Sequence, residues 1–248
     1  MKILKYFVYS FMILTLLFLF GTLVYNSIND KNSYVINRIA TKEKVVMLTF
    51  DDGPNKVNDK EIIDILESNG ATGTFFFTGS NIKKYADENS EKELFKKIKE
   101  SDMSVGNHSY SHSKYQNNKQ KLIDEILETD NLIRENFELD QNYEIPMRMP
   151  YLQFYNGLKK VLETTKRTYF TGGYLSGDWD YEKHGHDKII KRYLDNLKPG
   201  EIFIMHSTHY AKLFLNDLIK EIKNRGYEFA NFNPSSQRYY KKFGELVW

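Results

Sequence analysis

Residues Val45–Pro54 read "VVMLTFDDGP". An uncharged, β-prone run ends abruptly in two adjacent carboxylates, Asp51 and Asp52, and then Gly-Pro. Asp, Gly and Pro are ordinary turn formers, so one such ending needs no function. The ending recurs, however. "TGTFFFTG" reads as a second strand, and "MSVGNH" as a short one that runs into His108. "YEIPMRMPY" is extended around Arg148, "RTYFTGGYLSGDW" stops at Asp178, and "EIFIMH" stops at His206. Helical patterns separate these runs. "NDKEIIDILESNG" starts at a capping Asn58 and stops at Gly70, and "SEKELFKKIKES" carries a capping box, Ser90 with Glu93. "NKQKLIDEILETDNLIREN" puts Leu122, Ile126, Thr129 and Ile133 on one face. "HDKIIKRYLDNLKPG" and "AKLFLNDLIKEIKNRG" complete the series. Strands alternating with helices of this length imply an α/β fold of parallel strands with right-handed crossovers, either a barrel or an open sheet. In both, sites lie beyond the carboxyl ends of the strands. Five strands that end there in metal-binding or proton-moving residues are hard to read as five turns.

The chain has 248 residues, enough for one sizeable core. Net charge is +2 with 27% charged residues, so no field of one sign recruits nucleic acid. There is no cysteine, which excludes a disulfide framework and any thiolate nucleophile or ligand. The 18 Tyr and 17 Phe suit packing, and also stacking on sugar rings.

"YFVYSFMILTLLFLFGTLVY", Tyr6–Tyr25, carries no charge over 20 residues, about the length that spans a bilayer. A cleaved signal peptide has a shorter apolar region and a small-x-small site, and "GTLVYNS" is a poor one. The expectation is therefore an N-terminal cytoplasmic tail and single-pass membrane anchor over 1–25, a linker over 26–43, and a domain over 44–248 outside the cytoplasm.

"NHSYSH" places His108 and His112 four apart, which on a helical turn points both imidazoles the same way. With Asp52 they make a three-ligand site with open positions, as catalytic Zn²⁺ requires, although the set also suits non-haem Fe(II). A divalent metal there would polarise a bound carbonyl and acidify water. His206 is a suitable proton donor, with Asp178 able to fix its tautomer.

In order and spacing, "TFDDG", "HSYSH", "RMPY", "DW" and "IMH" resemble the five motifs of the polysaccharide deacetylases, the NodB-homology domains of carbohydrate esterase family 4. "TFFFTGSNI" and "LKPGEIFIMH" are similar too, and the resemblance covers about residues 44–232. It implies a distorted (β/α) barrel of seven or eight strands that removes acetyl groups from sugars. Carried over residue by residue, it makes Asp51 the general base, and Asp52, His108 and His112 the ligands of one divalent metal ion, Zn²⁺ first, with Co²⁺ or Mn²⁺ as alternatives. Arg148 would orient the base, and the backbone N–H of Tyr151 would hold the oxyanion. His206 would be the general acid with Asp178 beside it, and Trp179 and Ile204 would line the acetyl pocket. Three positions depart from the family pattern. Ile204 stands where Leu is usual, Leu152 follows "RMPY" where Gly is usual, and Leu175 stands where an acidic residue is usual.

The substrate implied is N-acetylglucosamine in a cell-surface polysaccharide, peptidoglycan or an exopolysaccharide, with the lipid bilayer as the other partner and no nucleic acid. The alternatives are an O-acetyl esterase, a carbohydrate-binding relative without turnover and, last, a non-haem iron oxygenase. His184 and His186 read as a solvated loop and a helix start, His209 as a helix start or a substrate contact, and the Tyr-rich tail as packing.

Overall fold

The structure, a computed structural model, describes every residue except 1, 33, 90, 91, 117 and 156, and side chains except those and 2–5, 7, 8 and 24–32. The Ser90 half of the expected capping box lies outside the described residues. In chain order the elements are α1 (Lys2–Asn32), β1 (Val35–Ile36), β2 (Arg38–Ala40), β3 (Val45–Gly53), α2 (Asn58–Ser68), β4 (Thr74–Phe77), α3 (Gly79–Glu88), α4 (Glu93–Glu100), β5 (Ser104–Asn107) and α5 (Lys119–Phe137). They continue as α6 (Leu158–Thr164), β6 (Phe170–Thr171), β7 (Tyr174–Leu175), α7 (Tyr181–His184), α8 (His186–Asp195), β8 (Glu201–His206), α9 (Ala211–Asn224), β9 (Glu228–Ala230) and β10 (Glu245–Val247).

The long apolar strand β3 is central because it can be buried on both faces. It pairs in parallel with β4, β8 and, at its start, β9. The main sheet runs β10-β2-β8-β3-β4-β5, with β7 also on β8, and β1 pairs with β6 separately. Helices α2, α4, α5, α8 and α9 contribute Ile62, Leu66, Phe95, Ile133, Tyr193, Phe214 and Leu218 to one core with Phe50, Phe75 and Phe77. Phe50 and Phe75 stack at 5.1 Å, a contact worth about 0.5–1.5 kcal/mol beyond area burial.

The complete ring of seven or eight barrel strands is not formed; the sheet is a half-barrel. Beyond β5, pairing thins to a bridge between Asn107 and Met147 and a hydrogen bond from Thr171 N to Met147 O, 2.7 Å. Pro146 and Pro150 bracket that segment, and proline cannot donate to a ladder. Gly173, at φ +140°, breaks the next strand between β6 and β7, where a Cβ would lie 2.5 Å from Ile202 O.

The N-terminal expectations are also revised. Helix α1 does not stop with the apolar run but continues to Asn32. Among the described residues no helix is long and apolar enough to cross a membrane, so the expected span is not supported. Part of the expected linker is built into the sheet: Ile39 is buried and β2 pairs with both β8 and β10.

Candidate active site

Register brings the strand ends together. Asp51 and His206 are abreast in the β3–β8 pairing, and Phe77 is abreast of Asn107 in the β4–β5 pairing, so His108 follows at the same level. The Asn107–Met147 bridge then puts Arg148 beside His108. These four residues are therefore neighbours because of strand register, although 40 residues separate His108 from Arg148 and 97 separate Asp51 from Arg148.

The paired carboxylates diverge, and not by simple strand alternation. The β3–β4 register shifts between Asp51 and Gly53, and Asp52 has φ +74°. A bulge of this kind re-aims a side chain, and Asp tolerates the left-handed region better than most residues. Asp51 points inward, 4% exposed, while Asp52 turns out into the cleft.

Arg148 is fully buried. Its Nη1 donates to Asp51 Oδ1 at 2.7 Å and to Thr49 Oγ1 at 2.8 Å, and its Nη2 donates to Gly172 O at 3.1 Å. The guanidinium lies 4.2 Å from the centre of the Phe76 ring. Thus Asp51 Oδ1 is held, and Oδ2 faces the cleft, 3.9 Å from His108 Nε2.

His108 Nδ1 lies 2.8 Å from Arg148 O. A carbonyl can only accept, so Nδ1 carries the proton and Nε2 is left as a ligand atom. Asp52 Oδ1 is 3.4 Å from His108 Nε2 and 3.3 Å from His112 Nε2. Among the described residues these three form the only such donor group, with ligand atoms within 4.8 Å of one another. Burial favours the neutral acid at Asp52, but the hydrogen bond and charge of His108, with His206 and His112, hold the carboxyl down at about 2. Burial and the charge of His108 push His112 down, against the pull of Asp52 and Asp51. An ionised carboxylate and a neutral imidazole are the forms that bind a cation.

The His108–His112 segment is not a helical turn. It is a loop in which Ser109 and His112 have φ +62° and +51°. Its conformation is imposed from α5: Glu125 accepts from Ser111 N at 2.7 Å and Ser111 Oγ at 2.8 Å, and from Tyr115 OH. Asn107 Oδ1 accepts from Ser109 N at 2.8 Å. The sequence signal for this was a glutamate between the apolar positions Leu122 and Ile126, only 7% exposed in the fold.

On the opposite wall, His206 Nδ1 lies 3.1 Å from Asp178 Oδ1, and His206 N donates to Asp178 Oδ2 at 2.8 Å. Burial alone would lower the His206 pKa; the hydrogen bond and charge of Asp178, with Asp51 and Asp52, outweigh it and hold the imidazole at about 9. In the metal-free protein, imidazole NMR should therefore show His206 titrating near pH 9, and Asp178→Asn should move that midpoint back toward ~6.5. A raised histidine pKa contributes stability that is complete below ~6.5 and lost as pH rises through 9. An unchanged midpoint in Asp178→Asn would contradict the assignment.

The cleft between these walls has a volume of about 440 Å³. Ile204 forms its fully buried floor, Trp179 stands half exposed with its ring edge toward His206 at 5.7 Å, and Tyr151 packs on His112 at 4.5 Å. Tyr151 and Leu152 both have positive φ, +57° and +49°. Met149, Leu152 and Leu175 also line the cleft and were not anticipated as lining residues. All ten expected site residues except Arg148 and Asp178 line it directly, and those two hold side chains that do. His184, His186 and His209 do not line it. His186 begins α8, between Asp187 and Asp217, and His209 stacks on Tyr210 at 3.9 Å.

Comparison with known proteins finds relatives in both sequence and fold. A family model described as polysaccharide deacetylase matches residues 38–170. The peptidoglycan-N-acetylmuramic acid deacetylase PdaA of Bacillus subtilis is 28% identical over 207 residues, 78% of this chain and 72% of that protein. A peptidoglycan-N-acetylglucosamine deacetylase of Bacillus cereus is 28% identical over 224 residues, 84% and 76%. The structure of a family 4 acetyl xylan esterase from Clostridium thermocellum, in complex with a cobalt ion, superposes with a TM-score of 0.66 at 25% identity, over 76% of this chain and 88% of that one.

Proposed function

The chain belongs to the polysaccharide deacetylase family, hydrolases acting on carbon–nitrogen bonds other than peptide bonds, and from that premise we propose that it removes acetyl groups from N-acetylglucosamine units of a cell-surface polysaccharide, peptidoglycan first. The observation that carries this is that Asp51, His206 and the cation-binding triad of Asp52, His108 and His112 all line one cleft.

Asp52, His108 and His112 would hold one divalent cation, Zn²⁺ first and Co²⁺ or Mn²⁺ next; a tied Nδ1 and free Nε2 on His108 fit that use. When bound, the ion supplies Lewis acidity toward the acetyl carbonyl and a lowered pKa for water. Asp51, fixed by Arg148, takes the proton of the attacking water through its free oxygen. The Tyr151 N–H donates to the oxyanion as charge develops there. Protonated His206, with its ring fixed by Asp178, gives its proton to the leaving amine. Trp179, Ile204 and Leu175 bound the acetyl methyl.

Peptidoglycan lies outside the cytoplasmic membrane, so the proposed substrate puts the domain there as well. Helix α1 exposes Phe11, Leu14 and Phe18 with no cover from the rest of the fold, and we include their seating against lipid in the proposal. The similarity to an acetyl xylan esterase supports a second reading, hydrolysis of O-acetyl esters. One experiment separates them: metal-free chain is loaded with Zn²⁺, Co²⁺ or Mn²⁺, and acetate is measured from peptidoglycan, N-acetylglucosamine oligomers and acetylated xylan. Acetate from the first two, abolished by chelation, is expected; acetate from xylan alone would favour the ester reading. Binding of oligomers without acetate at any metal loading would mean a non-catalytic relative. Intact cells should also deacetylate oligomers added outside.

A further inference from the structure

The turn that carries Asp51 and Asp52 is tied at four points. Asp51 O accepts from Ser207 N at 2.8 Å, Gly53 O from Thr78 N at 2.9 Å, and Asp52 O from Asn81 Nδ2 at 2.8 Å. The fourth tie is made by a side chain the proposed reaction does not use: Asn55 N donates to Asp59 Oδ2 at 2.7 Å. Asp59, in the first turn of α2, is completely buried. It packs so tightly on Gly53 that a Cβ there would lie 2.6 Å from Oδ2. On its other side lies the turn after His206. Asn58 Nδ2 donates to Ser207 O at 3.1 Å, and the Ser207 hydroxyl is within hydrogen-bonding reach of the Asp59 carboxyl. Among the described residues, Asp59 Oδ1, Ser207 Oγ and Thr208 Oγ1 are all buried without a hydrogen-bond partner. Buried polar atoms of this kind need an explanation.

We propose that Asp59 is a positioning residue, whose buried carboxyl fastens the turn carrying Asp51 and Asp52 to the turn carrying His206. The assignment rests on the proposed reaction only for the roles of those three residues. Burial raises the Asp59 pKa to about 7, against the opposing pull of Ser207 and the hydrogen bond from Asn55 N. The neutral acid can serve both turns at once: one oxygen accepts from Asn55 N while the hydroxyl donates to Ser207 Oγ. The ionisable groups on the surrounding elements are Asp51 and Asp52 of β3, His206 beside Ser207, and the Glu61–Lys212 pair, 2.7 Å apart, that joins α2 to α9. Among the described residues none of them hydrogen-bonds to Asp59, so its ionised form would be buried without a countercharge.

Asp59→Asn preserves the arrangement, with an amide oxygen for Asn55 and an NH₂ for Ser207. Asp59→Ala preserves neither contact. In the metal-loaded full chain, Asp59→Ala should lower kcat by roughly 10–100-fold, the scale of a small displacement at reacting groups, with KM and metal content nearly unchanged. Asp59→Asn should recover most of that loss. A second readout needs no turnover: thermal unfolding of the metal-free chain against pH. The folded state keeps a proton on Asp59 that the unfolded chain loses above ~3.9. The Tm advantage of Asp59→Asn over the natural chain should be absent at pH 4, widen up to pH 7, and then stay constant. A natural-like kcat in Asp59→Ala, or Tm curves that run parallel from pH 4 to 8, would overturn the proposal. If Asp59→Ala does not fold, the Asn variant and the Tm curves decide. If the natural chain releases no acetate from any polysaccharide, the functional reading fails, and the Tm curves still test Asp59.

Discussion

Asp51→Asn should leave the cleft able to bind a divalent ion while lowering kcat by roughly 10²–10⁴-fold, the usual contribution of a positioned general base. The expectation follows from the separation of the two carboxylates. Asp52 faces both imidazoles at 3.3–3.4 Å, whereas Asp51 Oδ2 is 3.9 Å from His108 and its Oδ1 is bound to Arg148. The amide of Asn can still accept from Arg148, so the pocket keeps its shape but loses the group that takes the proton. Metal content by atomic emission and acetate release from N-acetylglucosamine oligomers, measured on the same sample, check it. Turnover within a few-fold of the natural chain would remove Asp51 from the mechanism.

Arg148→Ala should cost about 3–5 kcal/mol of folding stability, because it leaves the Asp51 charge buried and unpaired. A typical domain has only about 5–15 kcal/mol in total, so the variant should be close to unfolding at physiological temperature. Several contacts are lost together: the ion pair, the bonds to Thr49 and Gly172, and the packing on Phe76. The combined change Arg148→Met with Asp51→Leu removes both charges and should recover most of the stability, though none of the activity. Urea unfolding of the two variants measures the difference. Equal midpoints for Arg148→Ala and the natural chain would mean that the pair contributes nothing to folding.

Much of the site was legible because its parts sit in short, chemically distinctive runs. A strand ending in Asp51-Asp52, two histidines four apart, and strands ending at Asp178 and His206 point to one polar site at the strand ends, and the structure brings them together there. The errors have specific physical sources. His-x-x-x-His spacing suggests one turn of helix, yet Glu125, in the second turn of α5, holds that segment as a loop. The polar composition of 26–43 suggested a linker, yet Val35–Ile36 and Arg38–Ala40 find partners in strands that come much later in the chain. The resemblance implies a distorted barrel of seven or eight strands, and two prolines and Gly173 leave one sector of it open.

What the sequence determined by itself was the alternation of strand and helix, and the kind of residue at each strand's end, because both depend on local preference and hydrophobic period. Tertiary structure decided which ends meet. Register sets Asp51 against His206, and the bridge at Asn107 brings Arg148 to His108. It also decided the separate directions of Asp51 and Asp52, through a bulge and a positive φ that no two-residue pattern encodes. Asp59 belongs to the same class. In the sequence it is one acid in the first turn of a helix, and only burial between two distant turns sets it apart.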